Sequence, residues 1–118
     1  MIALQTKLKC IIKRPEDKYG SIREVDDSIE SIIELVGGFV EAIPVYDGVV
    51  MLCREKGDSL GLDHNMWFIC TNELGMLTYG DIKGPLVVLG FENEEFTDVP
   101  LSIDEWKRFV DANTPPKY

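Results

Sequence analysis

The chain has 118 residues, of which 45% are hydrophobic, and its formal net charge at pH 7 is −9. This length suits one domain with a single modest core, so we expect residues 1–118 to fold as one unit. No apolar run reaches the roughly eighteen residues of a membrane-spanning helix. So acidic a chain is also unsuited to nonspecific binding of nucleic acid, whose phosphates attract lysine and arginine.

Targeting and redox features favour a reducing compartment. The first residues, Met1 to Gln5, lack the charged start and apolar core of a signal peptide. The three cysteines, Cys10, Cys53 and Cys70, stand in apolar runs, which indicates reduced core thiols rather than disulfides or metal ligands. We therefore expect a cytoplasmic protein.

The charge is distributed unevenly. Residues 1–25 carry six basic and three acidic groups, a net charge of +3, whereas residues 26–118 carry six basic and eighteen acidic groups, a net charge of −12. Such a surface ordinarily serves to keep a protein in solution. The alternative is a surface that binds a basic partner or imitates nucleic acid, and its candidate residues are Glu92, Glu94, Glu95 and Asp98.

The N-terminal part of the chain predicts two strands. Residues 2–12 alternate between apolar and polar side chains, which is typical of a half-exposed strand with Lys7, Lys9 and Lys13 mostly on its polar side. Turn residues follow, and residues 21–25 fit a short second strand.

Residues 27–36 predict a helix. Apolar side chains recur at helical spacing at Ile29, Ile32, Ile33 and Val36. Asp26 or Asp27 is suited to cap the start of this helix, and Gly37-Gly38 is suited to end it.

Residues 39–54 carry the strongest local signal and predict a β-hairpin. Two apolar runs flank Asp47-Gly48, a dipeptide suited to tight hairpin turns. A turn centred there pairs residues whose numbers sum to 95, so Glu41 is expected to face Arg54.

Pro44 constrains this hairpin because proline has no N–H to donate to the neighbouring strand. We therefore prefer a four-residue loop over residues 46–49, with the nitrogen of Pro44 facing a sheet edge or a bulge.

The stretch 65–74 is ambiguous. Asp63 or Asn65 can cap a helix that Gly75 would end, whereas the five consecutive apolar residues 66–70 also fit a buried strand. We expect the helix. Residues 86–91 are almost entirely apolar and predict a central strand.

Ser102-Ile-Asp-Glu105 is a capping box and predicts a last helix over 102–112. The element order favours an α+β domain with a mainly antiparallel sheet of about four or five strands. The central hairpin is 39–54, and two or three helices are expected at 27–36, 65–74 and 102–112.

Familiar catalytic and metal-binding patterns are missing from the sequence. His64 is the single histidine, no cysteine has the setting of an activated nucleophile, and no glycine-rich loop has the spacing of a phosphate site. We therefore expect no catalytic residue, no metal site and no cofactor.

One constellation remains, around the expected pair of Glu41 and Arg54. The pair is either a structural ion pair or a ligand clamp. In the clamp, Arg54 binds a small anionic ligand, Trp67 or Tyr46 stacks on its ring, and Asn65 supplies a nearby polar group.

The sequence also resembles a family of small uncharacterised domains that is common in phages, plasmids and other mobile elements. The similarity rests on Val36-Gly-Gly-Phe-Val-Glu41, the hairpin that follows, Glu55-Lys-Gly57, Leu62 with Asn65, and Ile82-Lys-Gly-Pro-Leu-Val-Val88. It departs from the family pattern at Met66-Trp-Phe-Ile-Cys70, where small residues are expected. The resemblance implies an accessory protein of the host bacterial cytoplasm and transfers no activity or site.

Three functions follow as hypotheses. The first is a binding protein that inhibits a host protein, such as an anti-phage defence protein, through its acidic surface. The second is a domain that sequesters a small molecule or nucleotide, with the pocket near Glu41 and Arg54 completed by a homo-oligomer. The third and least favoured is an enzyme, because the chain has few acid/base groups beyond carboxylates.

Overall fold

The computed structural model describes residues 7–57 and 59–116. In these ranges the chain forms eight strands and two helices: β1 (Lys7–Lys13), β2 (Ser21–Asp26), α1 (Ile29–Val36), β3 (Val40–Tyr46), β4 (Val49–Arg54), β5 (His64–Thr71), β6 (Leu77–Lys83), β7 (Leu86–Glu92), β8 (Glu95–Thr97) and α2 (Ile103–Ala112). Every strand pair is antiparallel, which confirms the α+β class. The strands outnumber the four or five expected and form two sheets.

Strand β7 lies at the centre of the larger sheet. The order of strands is β2-β1-β7-β4-β3, and β8 pairs with the end of β7 that extends beyond β1. Residues 86–90 of β7 are all buried, because β1 and β4 flank the strand and both of its faces are covered. The prediction of a central strand here is confirmed.

An apolar cluster covers each face of the larger sheet. The first lies beneath α1 and contains Leu8, Cys10, Ile12, Val25, Ile32, Val36, Val50, Leu52, Val87 and Leu89. The second lies beneath α2 and the β5–β6 ribbon, residues 64–83, and contains Ile11, Val49, Met51, Cys53, Met66, Ile82, Leu86, Val88, Trp106 and Val110. Trp106 also donates its indole N–H to the carbonyl of Tyr19 at 2.7 Å, which fixes α2 on the sheet.

Both helices begin and end close to the expected positions. Ser28, rather than Asp26 or Asp27, caps α1 by accepting the N–H of Ser31, and Gly37 ends the helix at φ 93°. The capping box of α2, between Ser102 and Glu105, is confirmed. Of the two helices in residues 7–57 and 59–116, neither has the length and apolar character to cross a membrane.

The β3–β4 hairpin confirms the turn at 47–48 but corrects the register. Tyr46 pairs with Val49, so the loop has two residues and not four. A bulge between Pro44 and Tyr46 adds a residue to β3, so the pairs beyond it shift by one. Pro44 lies beside that bulge on β3, an edge strand of the sheet, where a missing N–H is tolerated.

The predicted helix at 65–74 is wrong, and the alternative of a strand is correct. Residues 64–71 form β5, which pairs only with β6 in a separate two-stranded sheet. The five apolar residues alternate between two faces: Met66 and Phe68 pack on the second cluster, whereas Ile69 faces solvent. Tertiary pairing with β6 therefore selects the strand, although the local pattern favoured the helix.

A buried lysine joins the ribbon to β1. Lys13 is 2% exposed, although it was expected on the polar side of its strand. Its Nζ donates to the carbonyl of Asp17 at 2.8 Å and to the backbone and side-chain oxygens of Asn65 at 3.0 and 2.7 Å. Asn65 donates in turn to the carbonyls of Lys13 and Gly84. Burial lowers the pKa of Lys13, while the carboxylate of Asp17 acts in the opposite direction.

Candidate binding site

Four exposed carboxylates meet at one end of the larger sheet. Because β4 and β7 are antiparallel neighbours, the β3–β4 turn lies beside the β7–β8 turn, and the N–H of Phe91 donates to the carbonyl of Gly48 at 2.9 Å. We call the carboxylates brought together here the acidic end: Asp47, Glu92, Glu94 and Glu95. Three of them were expected to share a surface, and the fold adds Asp47.

Glu94 takes up a backbone conformation that its residue type disfavours. Asn93 and Glu94 form the two-residue turn between β7 and β8, with φ of 51° and 63°. Asparagine adopts positive φ readily, whereas a residue with a long side chain does so at a cost in free energy. Glycine would adopt this backbone conformation more favourably. The glutamate therefore occupies the position at a cost in folding free energy.

A groove of about 580 Å³ adjoins the acidic end. Its lining residues come from the β3–β4 turn, from the segment before α2 and from one side of α2: Tyr46, Asp47, Val49, Pro100, Leu101, Glu105, Arg108, Phe109 and Ala112. Tyr46 packs edge-on against Phe109 with 5.6 Å between the ring centroids. Asp47 belongs to both the groove and the acidic end, which makes the two features one continuous surface.

The charges of the groove are mostly negative. Glu105 accepts the backbone N–H of Ser102 at 3.0 Å, and this hydrogen bond lowers the pKa of its carboxyl, with a smaller contribution from Arg108. Glu105 is therefore charged at neutral pH. The lining residues thus include two carboxylates, Asp47 and Glu105, and one guanidinium, that of Arg108.

The expected pairing of Glu41 with Arg54 is wrong. The bulge in β3 places Glu41 opposite Cys53, while Arg54 is opposite Val40. Successive side chains of a strand point to opposite faces, so the carboxylate and the guanidinium lie on different sides of the sheet. Arg54 donates instead to the carbonyl of Gly37, at the C-terminal end of α1.

A smaller cavity of about 280 Å³ lies between the β3–β4 hairpin and the ribbon. Its lining residues are Glu41, Ile43, Cys53, Arg54, Lys56, Gly57, Phe68, Gly80, Asp81 and Ile82. Gly80 faces the ring of Phe68, and a methyl group at this glycine would overlap the ring. Both Glu41 and Arg54 adjoin this cavity, but the guanidinium of Arg54 lies on the other side of the sheet, where it is bonded to Gly37.

The other candidate ligand residues are separated from each other. Asn65 is buried and its polar atoms are occupied by Lys13 and Gly84, so its role is structural. Trp67 lies on the outer face of the ribbon, where its ring centroid is 4.6 Å from that of His64. Tyr46 lines the groove at the acidic end. The structure does not assemble these residues into one clamp.

Asp98 lies apart from the turn at 93–94. Its carboxylate accepts the backbone N–H of Lys9 at 2.8 Å, and the N–H of Val99 donates to the carbonyl of the same lysine. These bonds hold the segment after β8 beside β1. We therefore leave Asp98 out of the acidic end.

The described residues offer little for covalent chemistry. Burial raises the pKa of Cys10 and of Cys53 to about 11, which disfavours the thiolate at both. His64 Nδ1 and Asp81 Oδ1 are 2.5 Å apart, but no hydroxyl or thiol in residues 7–57 and 59–116 is bonded to this histidine. In the same ranges no three side chains of His, Cys, Asp or Glu are grouped to hold a metal ion.

Sequence reasoning missed one wall of the groove. The sequence predicted the last helix but not what it contacts: Phe109 is only half-buried, and its ring meets Tyr46. Arg108 and Ala112 complete that wall. The sequence does place Tyr46 beside the predicted hairpin turn. It does not reveal the contact between Tyr46 and α2, because that contact depends on the tertiary fold.

The comparison with protein families gave one match. Residues 8–111 match the family described as Domain of unknown function (DUF3846), which covers nearly all of the described elements. No significant match was found among curated proteins or among solved structures. The predicted resemblance to an uncharacterised family is therefore confirmed, and the chain belongs to the DUF3846 domain family.

Proposed function

We propose that the protein is a non-enzymatic accessory protein of a phage or other mobile element that binds and inhibits a host protein in the bacterial cytoplasm. An anti-phage defence protein is the kind of target we favour. The binding surface is the acidic end together with the adjoining groove. The observation that carries this proposal is the backbone conformation of Glu94. Its φ is 63°, a value that glycine adopts more favourably, and yet the position has a carboxylate side chain.

The surface favours a basic partner with an apolar anchor. The four carboxylates of the acidic end lie on two neighbouring turns, and Asp47 and Glu105 extend the negative charge along the groove. Opposite charge on a partner would accelerate the encounter and fix its orientation. The apolar floor, with Phe109 and Leu101, suits one or two buried side chains of the partner, which would supply most of the affinity.

The first test is affinity capture from lysate of the bacterial host with the tagged full-length chain, at low and at high salt. We expect a captured host protein whose yield falls as salt rises. The triple variant Glu92→Gln, Glu94→Gln, Glu95→Gln should lose it. A matched control variant changes three exposed residues in or near α1 and alters the net charge equally: Asp27→Gln, Glu30→Gln, Glu34→Gln. This control should still capture the host protein.

The single variant Glu94→Gly separates the binding role from general charge. It should raise the stability of the chain by about 0.5 kcal/mol because glycine tolerates positive φ. It should also weaken capture of the partner. Equal loss of the partner in both triple variants, or undiminished capture by the acidic-end triple variant, would rule out the acidic end as the binding surface.

The second candidate function is sequestration of a small anionic ligand, such as a nucleotide, in the cavity of about 280 Å³. The favouring observation is that Lys56 lines this cavity together with Phe68, whose ring could stack on a base. Nucleotides that bind would raise the melting temperature of the chain. The variant Lys56→Ala should abolish that shift, and an unchanged shift would exclude the cavity.

A further inference from the structure

The outer face of the β5–β6 ribbon is mainly apolar and partly exposed. Ile69 pairs with Tyr79 and Thr71 pairs with Leu77, so these side chains lie on the face opposite to Phe68, which packs on the second cluster. Ile69 is 45% exposed, Tyr79 39% and Leu77 78%, and Leu74 in the turn at the tip is 83% exposed. The described part of the chain therefore leaves this face partly open to solvent, most of all at Leu74 and Leu77.

The size of this face fits one side of a small and weak interface. A large side chain offers on the order of 150 Å² when fully exposed, so these four side chains present roughly 400 Å² of mainly apolar surface. That is about half of the ~800 Å² that each partner contributes to a stable interface. The half-buried Trp67 and the neighbouring backbone extend the same face. The largest apolar patch on a monomer is commonly of this size and is often functional.

The ribbon is also the least charged part of the chain. Charged residues make up 28% of the sequence, but residues 65–80 include only one, Glu73. At the base of the ribbon, Asp81 is 2.5 Å from His64 and 3.8 Å from Lys83, so its charge is compensated there. A partner therefore meets an apolar face with almost no net charge.

We propose that the outer face of the ribbon binds the same face of a second copy of this chain, which forms a dimer with two-fold symmetry. Two copies each carry a charge of −9 and repel wherever their acidic surfaces meet. The ribbon is the surface on which this repulsion is weakest, and an apolar face is complementary to itself. Packing one ribbon on the other buries Ile69, Leu77 and Tyr79 of both copies in a layer about 10 Å thick.

This inference does not rest on the proposed function, because the acidic end and the ribbon share no residue. Sedimentation equilibrium of the full-length chain over a range of concentrations tests it directly. We expect a dimer for the unmodified protein. The variant Leu77→Glu should raise the dissociation constant of the dimer at least about tenfold, because it places a carboxylate in the apolar layer.

The variant Leu60→Glu is the matched control. Leu60 is also an exposed leucine, lies outside the ribbon and gives the same change in charge, so the dimer should persist. The circular dichroism spectrum of each variant should match that of the parent, since both side chains are on the surface. A parent that is monomeric, or a dimer that Leu77→Glu leaves intact, would overturn the proposal. So would dissociation by Leu60→Glu to the same extent.

Discussion

Strand β4 of the first hairpin is buried along five of its six residues. The ribbon is similarly apolar in sequence, yet Ile69, Leu77 and Tyr79 on its outer face are 39–78% exposed. The difference lies in their neighbours. β4 pairs with β3 on one side and with β7 on the other, while β5 and β6 pair only with each other. A hairpin is buried when a third strand pairs with it and both of its faces are covered. Without a third strand, part of its surface stays in contact with solvent.

The largest expected effect contrasts one leucine from each hairpin. Leu52 in β4 is 1% exposed, and its replacement by alanine should lower the free energy of unfolding by about 3 kcal/mol through lost burial and a cavity. Leu77→Ala in the ribbon should cost less than about 0.5 kcal/mol when the chain is dilute enough to be monomeric. Urea unfolding of both variants measures the difference. Equal losses would mean that the ribbon is part of the core.

The second prediction addresses the connection between the two regions. Asn65→Leu removes an acceptor from the ammonium of Lys13 and leaves the carbonyls of Lys13 and Gly84 unpaired, so it should cost about 2 kcal/mol. The double variant Lys13→Met, Asn65→Leu should recover part of that loss, because no buried charge is then left without partners. Additive losses in urea unfolding would show that the two residues act independently.

The distinction between local and long-range contacts also explains which sequence predictions are confirmed and which are wrong. The short-range signals were read correctly: the turn at Asp47-Gly48, the end of α1 at Gly37 and the capping box of α2. Each of these depends on residues that are adjacent in the chain. Their physical cause, a preferred backbone angle or a cap, is therefore visible in the sequence itself.

The wrong predictions concern features that depend on contacts between residues distant in the sequence. The bulge in β3 shifts the register by one residue, and with it Glu41 moves away from Arg54. Lys13 is buried because Asn65, distant in sequence, accepts its hydrogen bonds. For the candidate site, the acidic turn could be predicted and the groove wall from α2 could not, since the latter requires the packing of α2 beside Tyr46.

The third prediction tests how closely the ribbon packs on the first hairpin. A methyl group at Gly80 would overlap the ring of Phe68, so Gly80→Ala should displace the ring and cost about 1.5 kcal/mol. Thr78→Ala, two residues earlier on the same face of β6 but exposed, should cost less than about 0.5 kcal/mol. Similar unfolding free energies for both variants would indicate that the ring moves freely and that the cavity beside it is adaptable.

The smallest expected effect is the pH dependence that the buried thiols give to the larger sheet. Burial, aided by the negative charge of Glu41, raises the pKa of Cys53 from 9.0 to about 11. The unfolded chain therefore loses this proton at lower pH than the folded chain does. The stabilisation is fully present below pH 9 and is lost as the pH rises toward 11. At pH 10 the loss amounts to about 1 kcal/mol.

Comparison of the parent chain with Cys53→Ala isolates this contribution. The pKa of Lys13 is lowered by burial, so its titration acts with the opposite sign and raises stability as the pH increases, but it is common to both proteins. We expect the difference in unfolding free energy between parent and variant to shrink by about 1 kcal/mol between pH 8 and pH 10. A difference independent of pH would show that the thiol of Cys53 reaches water in the folded chain. In that case β4 would be less protected than its position between β3 and β7 implies.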